Sequence, residues 1–186
     1  MATVWDEIEK TLLDLYSLPH NQFDSFGRRI VPAEEAKKKL NEIRSGLASV
    51  AREDYVGPRL FLRVVGPTTQ RFYSGEWWFD AGLLDTLEAG FSRIYFDGAD
   101  RKRALRDMLR ELLAISHEWN QITEVWALEL PPGQTIRGYA GPGTPQKLFA
   151  NLPLSARGNR LLVGRARQVW FPVKNPLWVK VYRQFA

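Results

Sequence analysis

The order of elements in this 186-residue chain predicts an α+β fold, with N-terminal helices followed by a largely antiparallel β core. Three observations carry that prediction. Apolar residues recur at three- and four-residue steps up to about residue 54. From about residue 59 the texture changes to short β-branched and aromatic runs punctuated by Pro and Gly. Helical segments interrupt those runs twice, and the last part is strand-rich. Hydrophobic residues make up 45% and charged residues 25%, close to the globular average, which excludes disorder, coiled coil and collagen as descriptions of the whole chain.

The first helix follows from Val4, Ile8, Leu12 and Leu15, with Asp6, Glu7 and Glu9 favourably placed in its first turns. Pro19 and the polar run His20-Asn21-Gln22 end it. Pro32 opens a second helix at an N1-like position, with Glu34 and Glu35 behind it and an apolar stripe of Leu40, Ile43, Leu47 and Val50. Residues 1–54 therefore form an N-terminal helical segment, and residues 55–186 the main domain. Arg59 to Val65 is a strand, a second extended stretch reaches Gly75 to Phe79, and Asp80 caps a short helix through Leu87. Arg93-Ile94-Tyr95-Phe96 reads as a short strand. Asp97 to Asp100 turns into the strongest helix, whose face is marked by Ala104, Met108, Leu112 and Ile115 and widened by Leu105, Leu109 and Leu113. Four strands complete the pattern: Ile122 to Leu130, Thr135 to Ala140, Gln168 to Val173 and Leu177 to Tyr182. Pro131-Pro132-Gly133 and Gly141-Pro142-Gly143 supply turns between them.

Charge is unevenly distributed. Residues 134–186 contain nine Lys or Arg and no Asp or Glu, so with a net charge of +5 for the chain the first 133 residues sum to −4. A basic block favours an anionic partner or serves as a solubilising surface, and no carboxylate from that third can act in catalysis. The chain has no Cys and two His, which removes disulfides, thiol chemistry and zinc sites built on thiolate, and no metal site is expected. No run approaches the roughly 20 apolar residues of a membrane span, and the N-terminus lacks the pattern of a signal peptide. The expectation is a protein of the cytoplasm, with no membrane partner.

Familiar catalytic signatures are missing. His117-Glu118 opens like a zincin motif, but Gln121 stands where the second His belongs. No Ser occupies a Gly-x-Ser-x-Gly elbow, and the Gly-Pro-Gly loop lacks the ending of a P-loop. What remains is a set of Arg, aromatic and amide residues on predicted strands. Arg63 is a lone cation in an apolar strand: on an edge strand it is a surface residue, whereas on a central strand it must be paired or face a cleft. Strand alternation sends one of Trp77 and Trp78 to the core and the other to the opposite face. Gln168 begins a strand after a loop that would deliver its amide to a sheet edge.

Taken in order, these segments form a pattern: Leu-Phe-x-Arg-Val-Val-Gly, Gly-x-aromatic-Trp, Leu113-Ala114 to Trp119-Asn120, a Pro-x-Gly turn, Arg137-Gly138-Tyr139-Ala140 with Gly-Pro-x-x-Pro-Gln, and Gln-Val-Trp-Phe-Pro. The pattern resembles the ADP-ribosyltransferase-like toxin domains, in particular the NAD-glycohydrolase branch related to tuberculosis necrotizing toxin and many bacterial polymorphic toxins. The resemblance covers roughly residues 59–173. It departs from the family before Gln168, where Gly164-Arg165-Ala166-Arg167 stands in place of a Gly-rich loop. Transferases of this superfamily usually carry Glu where Gln168 falls, which favours NAD cleavage over transfer.

The resemblance implies a β core of ADP-ribosyltransferase-like type and a bacterial toxin or effector, delivered into or acting in a cytoplasm, that cleaves NAD(P) to nicotinamide and ADP-ribose (phosphate). No prosthetic group is implied, with NAD or NADP as substrate and a cognate immunity protein or antitoxin as partner. Arg63 and Gln168 are the implied catalytic residues, Arg63 on the pyrophosphate and Gln168 on the nicotinamide ribose. Trp77, Trp78 and Tyr139 are the implied stacking residues, and Arg137 and Arg167 further cations for the substrate. Two alternatives remain open. One is a non-catalytic nucleic-acid-binding module, in which Trp170, Phe171, Trp178 and Tyr182 interleave with the basic block. The other is ADP-ribosyl transfer to nucleic acid or protein.

Overall fold

The computed structural model describes residues 2–23, 27–67, 77–94, 97–172 and 178–185. Helix α1 spans Val4–Tyr16. Its N-terminus is closed reciprocally, with Asp6 N donating to Thr3 Oγ1 at 3.2 Å and Thr3 N to Asp6 Oδ2 at 2.7 Å. A single 3₁₀ turn over Pro19–Asn21 follows. Helix α2 covers Pro32–Gly46 with its proline in the first turn and stops short of the Val50 that the apolar stripe suggested. Leu47 is already extended, and Ala48 N donates to Pro142 O at 2.9 Å. The chain then forms strand β1, Ala51–Val56, paired over six residues with a later strand. Sequence patterning missed β1 because only Tyr55 of its six residues is buried: a polar edge strand carries no alternation.

Strand β2 is Arg59–Val65 and β3 is Trp77–Asp80. The chain from 68 to 76, including the Gly75 at the head of the second extended stretch, lies outside the described residues. Helix α3 runs Ala81–Phe91, with Gly82 N donating to the Asp80 carboxylate at 2.9 Å. The strand expected at 93–96 is not formed at its start. Ser92–Ile94 is a turn closing α3, with Ile94 N donating to Phe91 O, and Ile94 is 65% exposed. Tyr95 and Phe96 lie outside the described residues.

Helix α4, Gly98–Leu112, is capped by Asp97. Its buried ridge is Leu105, Leu109 and the following Leu113, while Met108 is exposed. The centre of the face is thus one residue on from the row of Ala104, Met108 and Leu112. The remaining strands are β4 (Glu124–Leu130), β5 (Thr135–Pro142), β6 (Gln146–Lys147), β7 (Leu161–Leu162), β8 (Arg167–Trp170) and β9 (Val179–Gln184). Val173 and Leu177, expected in the last two strands, lie outside the described residues.

Seven strands form one antiparallel sheet in the order β1-β5-β8-β3-β2-β4-β9, and β6 and β7 form a separate hairpin-like pair. The fold class is therefore α+β with a largely antiparallel core. Leu62, Val64, Phe79 and Val125 pack beneath α3 and α4. Tyr139 and Trp170 pack beneath Ile8, Leu12, Leu40 and Ile43 of α1 and α2. A third cluster joins Tyr55, Phe61, Trp78, Val169 and Phe171. The expected boundary between residues 54 and 55 falls inside β1. No helix among the described residues is long and apolar enough to cross a membrane.

Candidate active site

A fork in the sheet opens a cleft. Strand β2 pairs with β4 along its whole length, Arg59↔Leu130 to Val65↔Glu124, but with β3 only at Phe61↔Asp80 and Leu62↔Phe79. The N-terminal end of β3 is held instead by β8, at Trp77↔Trp170 and Trp78↔Val169. Beyond Leu62 the two strands part, each retained by its outer neighbour. The wedge between them is a cavity of about 250 Å³ lined by Arg63, Val64, Trp77, Trp78, Phe79 and Gln168.

The walls come from segments far apart in sequence. On the β3 side, the end of α2 closes against Trp77: a Cβ added to Gly46 would stand 2.8 Å from Trp77 Cζ2. That end is pinned by Thr144 N to Gly46 O at 2.9 Å and Gln146 Nε2 to Ser45 O at 3.3 Å. On the β2 side stands the turn at 117–119. Asn120 Nδ2 donates to Val64 O at 3.2 Å, and its Oδ1 accepts from Ile122 N at 2.7 Å. The floor is the end of α4, Leu113 to Ile115, closed by buried Arg110, whose Nη1 donates to Ile115 O at 2.9 Å. Ala114 and Ile122 both adopt the left-handed conformation, at φ 50° and 52°, a strained geometry for non-glycine residues that tends to collect at functional sites.

Gln168 lies at the floor, 8% exposed. Its position is set by the end of α4, whose last carbonyls take donors from the segment 164–168. Gly164 N donates to Glu111 O, Ala166 N to Leu112 O, and Gln168 Nε2 to Leu113 O at 3.1 Å. Gly143 faces the amide so closely that any Cβ there would collide with Nε2. Arg63, on a central strand, is half-buried and lines the cleft. Trp77 is likewise half-buried, whereas Trp78 is 1% exposed among Phe61, Val169 and Phe171. The Trp78 ring is core and meets the cleft only as part of its wall.

Three expected residues lie elsewhere. Arg137 is on β5, its Nε 2.9 Å from Asp54 Oδ1 and its Nη1 3.5 Å from Glu7 Oε1. Tyr139 is 1% exposed under α1, its hydroxyl near Thr11 Oγ1 at 3.3 Å, and burial pushes its pKa up. Arg167 pairs with Glu53 on the surface. None lines the cleft: Tyr139 is covered by α1, while Arg137 and Arg167 are exposed and paired with the β1 carboxylates of Asp54 and Glu53. The cleft residues that sequence reasoning left without a role include Gly46, Trp119, Asn120, Thr144 and Gln146, and Gly143 stands behind the Gln168 amide. Trp119-Asn120 and Gly143 stood within the motifs but had no assigned chemistry, and Gly46 carried no signal at all.

The electrostatics are as uneven as the sequence, but largely self-matched. Among the described residues, five cations of residues 134–186 pair with carboxylates of the first 133: Arg137 with Asp54 and Glu7, Arg160 with Glu111, Arg167 with Glu53, Lys180 with Glu129, and Arg183 with Glu88. Beside the cleft, the hydroxyl of buried Ser116 and the Ala150 N–H hold the Glu118 carboxyl down at about 2. His117 stacks on Phe149, and burial lowers its pKa. Among the described residues, no group of three or more His, Asp or Glu is placed to hold a metal ion, and no Asp or Glu lines the cleft. No protein-family model and no curated protein matches the chain.

Proposed function

We propose that the chain is an NAD(P) glycohydrolase of ADP-ribosyltransferase-like type, a bacterial toxin or effector that acts in a cytoplasm and is restrained by a cognate immunity protein or antitoxin. The observation that carries the reading is the fork. Residues 63, 77 and 168, distant in sequence, stand on three consecutive strands, β2, β3 and β8, and line one cleft.

The chemistry suits that set. NAD carries a cationic nicotinamide, so its glycosidic C–N bond can break with the electron pair returning to the ring nitrogen. The ribose then passes through an oxocarbenium-like state, as in glycoside hydrolysis. Water adds at the anomeric carbon and releases a proton to solvent. The protein must mainly hold the dinucleotide in place. Arg63 supplies a planar, permanently charged fork for the pyrophosphate. The Gln168 amide, with Nε2 committed to Leu113 O, presents its Oε1 as acceptor for a ribose hydroxyl. Trp77 offers an aromatic face to the cationic ring, worth roughly 1–2 kcal/mol in a desolvated pocket. The absence of carboxylates among the described lining residues favours hydrolysis over transfer to a protein nucleophile.

The nucleic-acid reading is weakened by the pairing of five of its nine cations and by the burial of Trp170 and Phe171. Nicotinamide release from NAD and NADP tests the proposal. Wild type should release it together with free ADP-ribose, and Arg63→Ala and Gln168→Ala should each fall by on the order of a hundredfold while remaining folded. A folded, inhibitor-free protein that releases none from either dinucleotide would sink the reading.

A further inference from the structure

We infer that Trp119 is a ligand-binding residue that stacks on the ring at the outer end of the substrate, the adenine of the dinucleotide. The inference rests on the NAD(P) reading above and deepens it. Trp119 lines the cleft and yet is 59% exposed, the most exposed tryptophan given for the described residues. An exposed indole has a reason when it rims a cleft, because Trp supplies a large rigid contact surface at low entropic cost.

The turn that presents it is built rather than loose. Trp119 N and Asn120 N both donate to Ser116 O, at 3.2 and 3.3 Å, and Ser116 is fully buried. Glu118, one residue before, is tied to the Ser116 hydroxyl and the Ala150 N–H, and Asn120, one residue after, is tied to β2 through Val64 O. Both neighbours of Trp119 are thus anchored, while its own side chain stays open.

Position within the cleft then assigns the ring. Gln168 sits at the floor on β8, and Arg63 stands on β2, two strands away in the sheet order and just beyond the point where β2 and β3 part. Trp119 belongs to the turn fastened to β2 next to Arg63. Running from the floor, the cleft therefore offers an amide, an aromatic ring (Trp77), a cation and a second aromatic ring. A dinucleotide has the matching order: ribose with its nicotinamide, pyrophosphate, and a purine beyond.

Titration calorimetry with AMP, nicotinamide mononucleotide and inorganic pyrophosphate tests this on wild type, Trp119→Ala and Trp119→Phe, with nicotinamide release from NAD followed on the same samples. Trp119→Ala should weaken AMP roughly tenfold or more, Trp119→Phe should stay within about threefold of wild type by keeping a π-face, and the other two probes should bind all three proteins alike. Undiminished AMP binding by Trp119→Ala overturns the inference, as does a parallel loss of all three probes or a wild type that does not bind AMP. Wild type that cleaves NAD while Trp119→Ala binds AMP normally removes this assignment alone. Trp119-dependent AMP binding with no nicotinamide release in any sample supports it and removes the glycohydrolase reading alone.

Discussion

Gln168 shows how one side chain can be fixed by structure and left available for chemistry. Its Nε2 completes the end of α4 by donating to Leu113 O, and Gly143 leaves no room for the amide to move away. This explains physically why an amide suits the position better than a carboxylate. A carboxylate there would face a carbonyl at the negative end of a helix dipole with no hydrogen to donate. Gln168→Glu should therefore destabilise the fold by about 1–3 kcal/mol at neutral pH. Since the protonated acid can donate to Leu113 O, the penalty should shrink as the pH falls toward the Glu range. Thermal midpoints of both proteins between pH 4 and 8 measure this, and a pH-independent difference would contradict it. The sequence singled out Arg63 as a lone cation in an apolar strand and Gln168 through the family resemblance, and the fold brings both to one cleft. It gave no means of seeing that Tyr139 and Arg137 are spent on α1 and β1, because those contacts join residues more than eighty positions apart.

At the scale of elements, the cleft depends on segments outside β2, β3 and β8. The end of α2 forms one wall through Gly46, and the 117–119 turn forms the other. That turn carries its own pH signature. Glu118 is lowered from an ordinary value of 4.5 to about 2, chiefly by the Ser116 hydroxyl and then by the Ala150 N–H. A carboxyl with a depressed folded pKa stabilises the folded state above its unfolded pKa and loses that contribution as the pH falls through the folded value. Glu118 should therefore support the turn at neutral pH and surrender that support between about pH 4.5 and 2. In acid titrations of thermal stability, Glu118→Gln should lack this part of the slope. A variant that follows the wild-type acid profile would mean that the Ser116–Glu118–Ala150 contacts contribute nothing. Helices were legible because their apolar residues repeat, and the starts of α3 and α4 because Asp80 and Asp97 stand before them as caps. The edge strand β1 was not, since exposure on both faces erases alternation.

For the whole molecule, the decisive feature is that the basic last third closes onto the acidic remainder. Each exposed pair contributes little, about 0–1 kcal/mol, but together they change what the surface offers a partner. If all nine cations met a single strand of nucleic acid, the logarithm of the binding constant would fall with the logarithm of salt at a slope near −6. With five committed internally, the expected slope is no steeper than about −3. Fluorescence anisotropy with a labelled oligonucleotide from 50 to 300 mM salt decides the point. A steep slope would show that the intramolecular pairs give way to phosphate and would revive the nucleic-acid alternative.

The sequence by itself determined the fold class, most helices and central strands, the uneven charge, and the nomination of Arg63, Trp77 and Gln168. The fold class, elements and charge are local matters of periodicity, capping and composition, and the nominations rest on the family resemblance. Only the tertiary structure decided which nominated residues meet, that Trp78 is core, that Trp119 stands open at the rim, and that the basic block is mostly matched. Those outcomes depend on strand order and on β2 and β3 parting after two residue pairs. Pairing between distant segments is set by the packing of the whole chain, and it leaves no trace in the spacing of neighbouring residues.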